Sequence, residues 1–355
     1  MEPERLQQMA QPLLDWYDKN ARVLPWRSQP TPYRVLVSEI MLQQTRVDAV
    51  KPYFARFMEA LPDLESLAAA PEQTLLKLWE GLGYYNRVRN LQKAAQMVMR
   101  DYGGVLPRDP EELKKLPGIG DYCAGSISSI AYNVPCPAVD GNVLRVITRL
   151  TGDFSDIASP ATKKAITAAV KQIIPARAGD FNQALMELGA LVCLPNGAPL
   201  CGQCPLAGIC MAREQDLTSQ IPVKAPKAAR KQEEKTVFLL LCQGNVALVQ
   251  RPEKGLLAGL WEFPSCPGRL KKAEALSRLR EWGFEPKEVE KLPGSRHIFT
   301  HLEWLMAGYL VRLEQPPQKT DFLWVSLREA LEQYPIPSAY QLYRQRLEKE
   351  EKQDG

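Results

Sequence analysis

Apolar positions in the first half of the chain recur at helical spacing. Residues 6–20 carry the period, and so do residues 33–46, where Val35, Leu36, Ile40 and Met41 fall on one face. Residues 109–116, DPEELKKL, read as a short helix opened by an aspartate and early acids. Residues 124–132 are small, apolar and unbroken, which suits a buried helix. VLRVITRL at 143–150 is amphipathic, and so is FNQALMELGALV at 181–192. From 215 to 235 the period disappears in a stretch rich in Pro, Ala, Lys and Glu, which reads as a linker. Beyond it the texture changes. KTVFLLLCQGNVALVQ reads as two strands joined by a Gly244-Asn245 turn, residues 297–313 as one or two more, and residues 322–325 as another. Helices fit residues 271–282 and 338–349. The pattern predicts a multidomain chain: an all-α domain over 1–214, a linker over 215–235 and an α+β domain over 236–355.

The breaks in the pattern carry the chemistry. Between the helices at 109–116 and 124–132 lies a Pro-Gly-Ile-Gly turn. Gly118 and Gly120 let backbone N–H groups approach a ligand, and the second helix begins there with its positive dipole end. Such an end suits a phosphate, and contacts of that kind hold a duplex without reading its sequence. Residues 133–140 end the helix with two prolines and deliver Asp140-Gly141-Asn142 to the head of the next one. An aspartate there is commonly an N-cap; it is also a carboxylate that a helix terminus can hold ionised. Glu39 sits among Val37, Ile40 and Leu42 on a helix poor in cations. Burial there would raise its pKa and keep it protonated, as a general acid requires. Trp26 and Arg27 fall in the break LPWR, read as the start of a loop. Gly81 and Gly83 mark a turn followed by Tyr84, Tyr85, Arg87 and Arg89, a set suited to base stacking and phosphate contact.

Composition adds little to this. The chain has 355 residues, which fits two domains, and a formal net charge of +4, which permits nucleic-acid binding without arguing for it. MEPERLQQMA lacks the apolar core of a secretory signal, and no apolar run approaches the ~20 residues that span a bilayer. A cytoplasmic location with no membrane partner is expected. The eight cysteines divide into two kinds. Cys123, Cys136, Cys242 and Cys266 are scattered, as free thiols in a reducing compartment would be. Cys193, Cys201, Cys204 and Cys210 run C-x7-C-x2-C-x5-C and read as a metal site. Their spacing alone leaves zinc and an iron–sulfur cluster both open.

LPGIGDY followed by VDGNVLRV resembles the helix-hairpin-helix DNA glycosylases and, within them, the MutY-type adenine DNA glycosylases. The resemblance extends over nearly the whole chain. It implies a monofunctional enzyme that hydrolyses the N-glycosidic bond of adenine opposite 8-oxoguanine or guanine in duplex DNA. In that reading Glu39 is the acid that protonates adenine, Asp140 is the carboxylate facing the sugar, and Tyr122 and Asn142 orient them. Trp26 and Arg27 line the adenine pocket. Gln43, Gln44, Thr45, Gln183 and the hairpin glycines Gly118 and Gly120 contact DNA or the base, with Gln44 and Tyr84 as wedges. SEIMLQQT at residues 38–45 carries the acid. The resemblance assigns a [4Fe–4S] cluster to Cys193, Cys201, Cys204 and Cys210. Seven residues, LPNGAPL, separate the first two of these where the family has six.

GLLAGLWEFP, residues 255–264, resembles the Nudix-like second domain of the same family. Phe299-Thr300-His301 matches its Phe-Ser-His tip for 8-oxoguanine, with threonine in place of serine. The helix after GLLAGLWEFP offers one glutamate early and one late, too few for a pyrophosphohydrolase. The implied protein is a monomer. Rival readings are a thymine-mismatch glycosylase, an endonuclease III-like lyase and a non-catalytic lesion binder. The lyase uses a lysine amine where this chain has Tyr122, and a binder would need neither Glu39 nor Asp140.

Overall fold

The computed structural model describes residues 3–225, 229–315 and 321–354. The chain divides into two compact units: Met1–Ala70 with Asn86–Pro226, and Pro71–Tyr85 with Lys227–Gly355.

The first unit is helical. Helices α1 (Ala10–Asn20), α2 (Pro25–Ser28), α3 (Pro32–Leu42) and α4 (Val47–Ala60) lead to α5 (Asn86–Asp101), the short α6 (Pro110–Leu113) and α7 (Asp121–Tyr132). They are followed by α8 (Gly141–Thr151), α9 (Pro160–Lys171) and α10 (Ala178–Leu191). Proline opens α2, α3, α6 and α9, where a missing N–H costs nothing. Asp109 caps α6 by accepting from the Glu111 amide. One core joins Leu13, Leu14, Val143, Ile147, Phe181 and Leu185 of α1, α8 and α10. Helices α3 and α10 both pack on α7, whose residues 123–129 are all buried.

The break at LPWR is a helical turn, not a loop: Trp26 and Arg27 sit on α2, and Trp26 is buried against Phe54 at 5.3 Å. Arg87 also departs from expectation. Its guanidinium is turned inward and donates to the carbonyls of Ile40, Met41 and Gln43, closing the end of α3. A residue read as a phosphate contact is thus a helix cap.

Among the described residues of the second unit, seven strands form a mixed sheet: β1 (Lys231–Cys242), β2 (Asn245–Gln250), β3 (Trp261–Glu262), β4 (Ser265–Pro267), β5 (Pro286–Ile298), β6 (Leu302–Leu313) and β7 (Leu323–Ser326). The order is β3-β2-β1-β6-β5, with β4 on β1 and β7 on β2; β1 and β6 run parallel. Helices α11 (Lys272–Glu281), α12 (Leu327–Glu332) and α13 (Gln341–Asp354) accompany it. The hairpin turn is one residue earlier than Gly244-Asn245. Cys242 pairs with Asn245, and Gln243 and Gly244 carry the two positive φ angles of a tight turn. Lys231–Lys235, counted with the linker, are strand residues paired along β6. Both glutamates of α11 are locally engaged: Glu274 accepts from the Lys271 amide and Glu281 pairs with Arg278. Among the described residues, no helix is long and apolar enough to cross a membrane.

Candidate active site

Helix α3 carries Glu39 inward, where it is 5% exposed. The phenol of Tyr122, in the first turn of α7, donates to its Oε2 at 2.8 Å. Burial pushes the Glu39 carboxyl above its ordinary range, the Tyr122 bond opposes the rise, and nearby Asp140 adds to it. Tyr122, half-buried and facing both carboxylates, is held well above the usual phenol range by loss of water and by their charge, and stays a donor.

Asp140 arrives on an irregular segment laid across α7. Gly125 makes the crossing possible, since a Cβ there would collide with the Pro137 carbonyl oxygen. Asn182 of α10 ties the segment down: its amide donates to Ser129 Oγ and the Cys136 carbonyl, and accepts from the Ala138 amide. Asp140 then caps α8. Oδ1 accepts from the Val143 amide and Oδ2 from Asn142 Nδ2, both at 2.8 Å. Burial pushes this carboxyl up as well, against the pull of those donors and of the Arg145 charge. The helix terminus alone therefore does not hold Asp140 ionised; it works against burial. Of the two carboxyls facing the cavity, Asp140 has the N–H donors that favour an anion, and Glu39 has the phenol. The pair loses its first proton more easily on the side of Asp140.

These groups line a cavity of about 160 Å³ together with Trp26, Arg27, Thr45, Gln183 and Asn142. That is below the roughly 300–1,000 Å³ of pockets for drug-sized ligands, and suits one heterocycle. Gln43 and Gln44 do not line it. Gln43 donates to Cys123 Sγ at 3.0 Å, while Gln44 is exposed with φ of 57°. Such a backbone in a non-glycine residue is sparsely populated and clusters at functional sites.

The floor of the cavity was not foreseen from the sequence. Glu187 is 1% exposed and receives Arg22 Nε at 2.7 Å and Arg27 Nη2 at 3.0 Å. Burial alone would raise its pKa, but the two arginines overcome this and hold it at about 2. Arg27 Nε also donates to Gln183 Oε1 at 2.9 Å. A signal was present: Gln183, Met186 and Glu187 are spaced i, i+3 and i+4, one face of a largely apolar helix.

In the hairpin, Gly118 has φ of 80° and lies exposed with Gly120, and a Cβ on Gly118 would lie 2.8 Å from that of Asn90. All four clustered cysteines line one small cavity. Buried Arg149 organises it, donating to Cys193 Sγ at 3.3 Å and to the carbonyls of Leu194, Thr218 and Ile221. Among the described residues, no three His, Cys, Asp or Glu are grouped so as to hold a single metal ion. In the second unit, Phe299 packs on Trp304 at 4.9 Å, leaving Thr300 and His301 exposed at the turn between β5 and β6. Tyr84, half-exposed with φ of 49°, places its hydroxyl 3.1 Å from Thr300 Oγ1.

Residues 37–175 match the HhH-GPD superfamily of base excision DNA repair proteins, and residues 236–346 match the NUDIX domain. Adenine DNA glycosylase of Mus musculus is 38% identical over 87% of this chain and 71% of its own length. That of Homo sapiens is 37% identical, covering 87% and 68%, and that of Buchnera aphidicola subsp. Baizongia pistaciae is 34% identical, covering 82% of each. The chain belongs to the adenine DNA glycosylase family. Solved structures place the fold of this family member beside two relatives. A thermostable thymine-DNA glycosylase matches with a TM-score of 0.54 and 27% identity, over 60% of this chain and 98% of that one. A trapped endonuclease III–DNA covalent intermediate matches with a TM-score of 0.52 and 26% identity, over 61% and 99%.

Proposed function

We propose that this chain removes adenine mispaired with 8-oxoguanine, or with guanine, from duplex DNA by hydrolysing the N-glycosidic bond. The observation that carries the reading is the convergence of Glu39, Tyr122, Asp140 and Asn142 on a single base-sized cavity. The mispaired adenine leaves the stack and enters the cavity, because its glycosidic bond is out of reach inside a duplex. Glu39, kept protonated by burial, gives its proton to a ring nitrogen of adenine and so makes it a leaving group. Tyr122 holds the carboxyl in place throughout. Asp140, the more readily ionised member of the pair, faces the cationic sugar, with Asn142 fixing its orientation. Among the described residues no lysine lines the cavity; Tyr122 stands there instead, which supports hydrolysis without strand cleavage through a Schiff base.

The remaining assignments belong to the same proposal. Gly118 and Gly120 grip the backbone, Gln44 and Tyr84 fill the gap left by the flipped base, and Thr300 and His301 read 8-oxoguanine. Trp26 and Thr45 wall the base pocket. The chain works as a monomer. Cys193, Cys201, Cys204 and Cys210 hold a [4Fe–4S] cluster. Four soft thiolates around one cavity fit it, and one extra loop residue before Cys201 leaves all four facing inward. The cluster supplies structural or redox character from a cavity separate from that of the carboxylates.

The test is base release from a duplex carrying adenine opposite 8-oxoguanine, worked up with and without alkali, with adenine opposite thymine as control. Breaks only after alkali, and only with the damaged partner, are expected. Tight binding without release would make the protein a lesion binder and the carboxylates structural.

A further inference from the structure

The cavity holding Glu39 has a neighbour. A second, open cavity of about 350 Å³ is walled by Tyr17, Ser129, Asn133, Arg177 and Asp180. Three residues, Arg27, Ile130 and Gln183, line both cavities and so form the partition between them.

Helix α7 gives the direction from one to the other. It starts at the hairpin, Tyr122 lines the first cavity, Ile130 lines both, and Asn133 just beyond its end lines only the second. At 1.5 Å per residue this is a course of roughly 15 Å away from the hairpin. With a duplex gripped at Gly118 and Gly120, as the proposed function has it, the first cavity lies at the DNA end of α7 and the second at the far end.

Of the two polar side chains in the partition, one is fixed and one movable. Arg27 is pinned to Glu187, to the Arg22 carbonyl and over the Tyr17 ring. Among the described residues, Gln183 is held by a single hydrogen bond, from Arg27 Nε. A bond of that kind is weak enough to break and re-form during turnover. Beyond it stand the Tyr17 ring and phenol, the Asn133 amide and the Asp180 carboxylate. The Asn133 amide already donates to the Ala176 carbonyl and Asp180 accepts from Arg177, so these groups line a polar passage for a flat neutral purine without gripping it, as an exit requires.

We propose that the second cavity is the exit for the excised purine base, with Gln183 as its gate. The base leaves by the back while the abasic duplex still covers the front. This rests on reading the first cavity as the adenine pocket.

The test uses the full chain in excess over an immobilised duplex carrying radiolabelled adenine opposite 8-oxoguanine. Alkali-labile breaks report cleavage, and label in the unquenched filtrate reports egress. Asp180→Trp lies across the rim of the second cavity and outside the catalytic groups. It should leave cleavage unchanged and slow egress at least about tenfold, whereas Gln183→Ala should not slow egress relative to cleavage. A second arm adds free 2-aminopurine base to a preformed complex with a stable abasic-analogue duplex. Its fluorescence should be quenched on entering the covered pocket of the wild-type chain, and quenched more slowly in Asp180→Trp. Egress in step with cleavage in a folded Asp180→Trp chain would overturn the exit, as would the absence of quenching in the wild-type complex. No breaks with the wild-type chain would instead overturn the glycosylase reading, and the exit with it.

Discussion

The phenol oxygen of Tyr122 stands 2.8 Å from Oε2 of Glu39, joining the first turn of α7 to the middle of α3. The bond makes two opposite contributions. It fixes the acid, and it favours the carboxylate over the acid. Removing it with Tyr122→Phe should lower the single-turnover rate by about tenfold, the net worth of roughly one hydrogen bond. The same change should raise the pKa of Glu39, so the loss of activity at high pH should move to higher pH. A pH–rate profile separates the two effects; an unmoved basic limb would remove the bond from the titration.

Glu39→Gln should cost about 10²–10⁴ in rate while duplex binding is kept, the span of general acid catalysis. It should also stabilise the fold at neutral pH. Burial raises the folded-state pKa of Glu39, so the folded protein binds the proton more tightly than the unfolded chain. Stability is then full below the unfolded pKa and falls as pH rises through the folded one. The neutral amide escapes that loss. Melting temperatures of the two chains should lie closest in acid and separate towards pH 7, with the variant higher.

Glu187→Gln should act the other way. It leaves Arg22 and Arg27 without their counter-charge, at a cost of about 3 kcal/mol, the lower end for a buried pair because both arginines keep some water. The folded pKa of about 2 lies below the ordinary 4.5, so the stabilisation is complete above about 4.5 and is lost as pH falls towards 2. The gap in melting temperature between wild type and variant should be wide at pH 7 and close in strong acid.

What the sequence made legible follows from how local each feature is. Helices α3, α7 and α8 are apolar and begin at a proline, a glycine or a capping aspartate, and α10 carries an apolar period, so their existence is written in short windows. Glu39 and Asp140 are visible because each breaks a local pattern. Glu187 is not, because its meaning depends on Arg22 and Arg27, some 160 residues away along the chain. Strand β5, of which only His297 and Ile298 fall within the predicted strand region, is hidden for a different reason. It is largely exposed, carries Pro293 and Gly294, and shifts register between Leu292 and Ser295, so neither alternation nor an apolar run marks it. Arg87 was misread because an arginine beside tyrosines looks alike whether it faces phosphate or three carbonyls.

Gly118→Ala should weaken duplex binding without touching the acid pair. The new methyl would be strained by a φ of 80° and would press on Asn90 Cβ at 2.8 Å, so the turn must shift. The hairpin is the part of the proposed grip that works through backbone N–H groups, and these lose their aim. Affinity should fall for matched and mismatched duplexes alike, since phosphate contacts do not read sequence. A loss confined to the adenine:8-oxoguanine duplex would place Gly118 in lesion reading instead.

The cysteine site gives a prediction with two clean alternatives. Cys193 is tied to α8: its Sγ accepts from Arg149 and its carbonyl from Arg145, which also holds Asn142. Filling the site should therefore stiffen the end of α10 and the start of α8 together. Purified without chelator, the chain should carry about four iron and four sulfide with visible absorbance, against roughly one zinc and no colour for the rival donor assignment. Cys204→Ala should abolish the absorbance and lower the melting temperature. Because Cys204 does not line the cavity that holds Glu39 and Asp140, any activity left in the folded fraction should keep the wild-type pH profile. A changed profile would mean that the cluster acts on the carboxylates as well as on the scaffold.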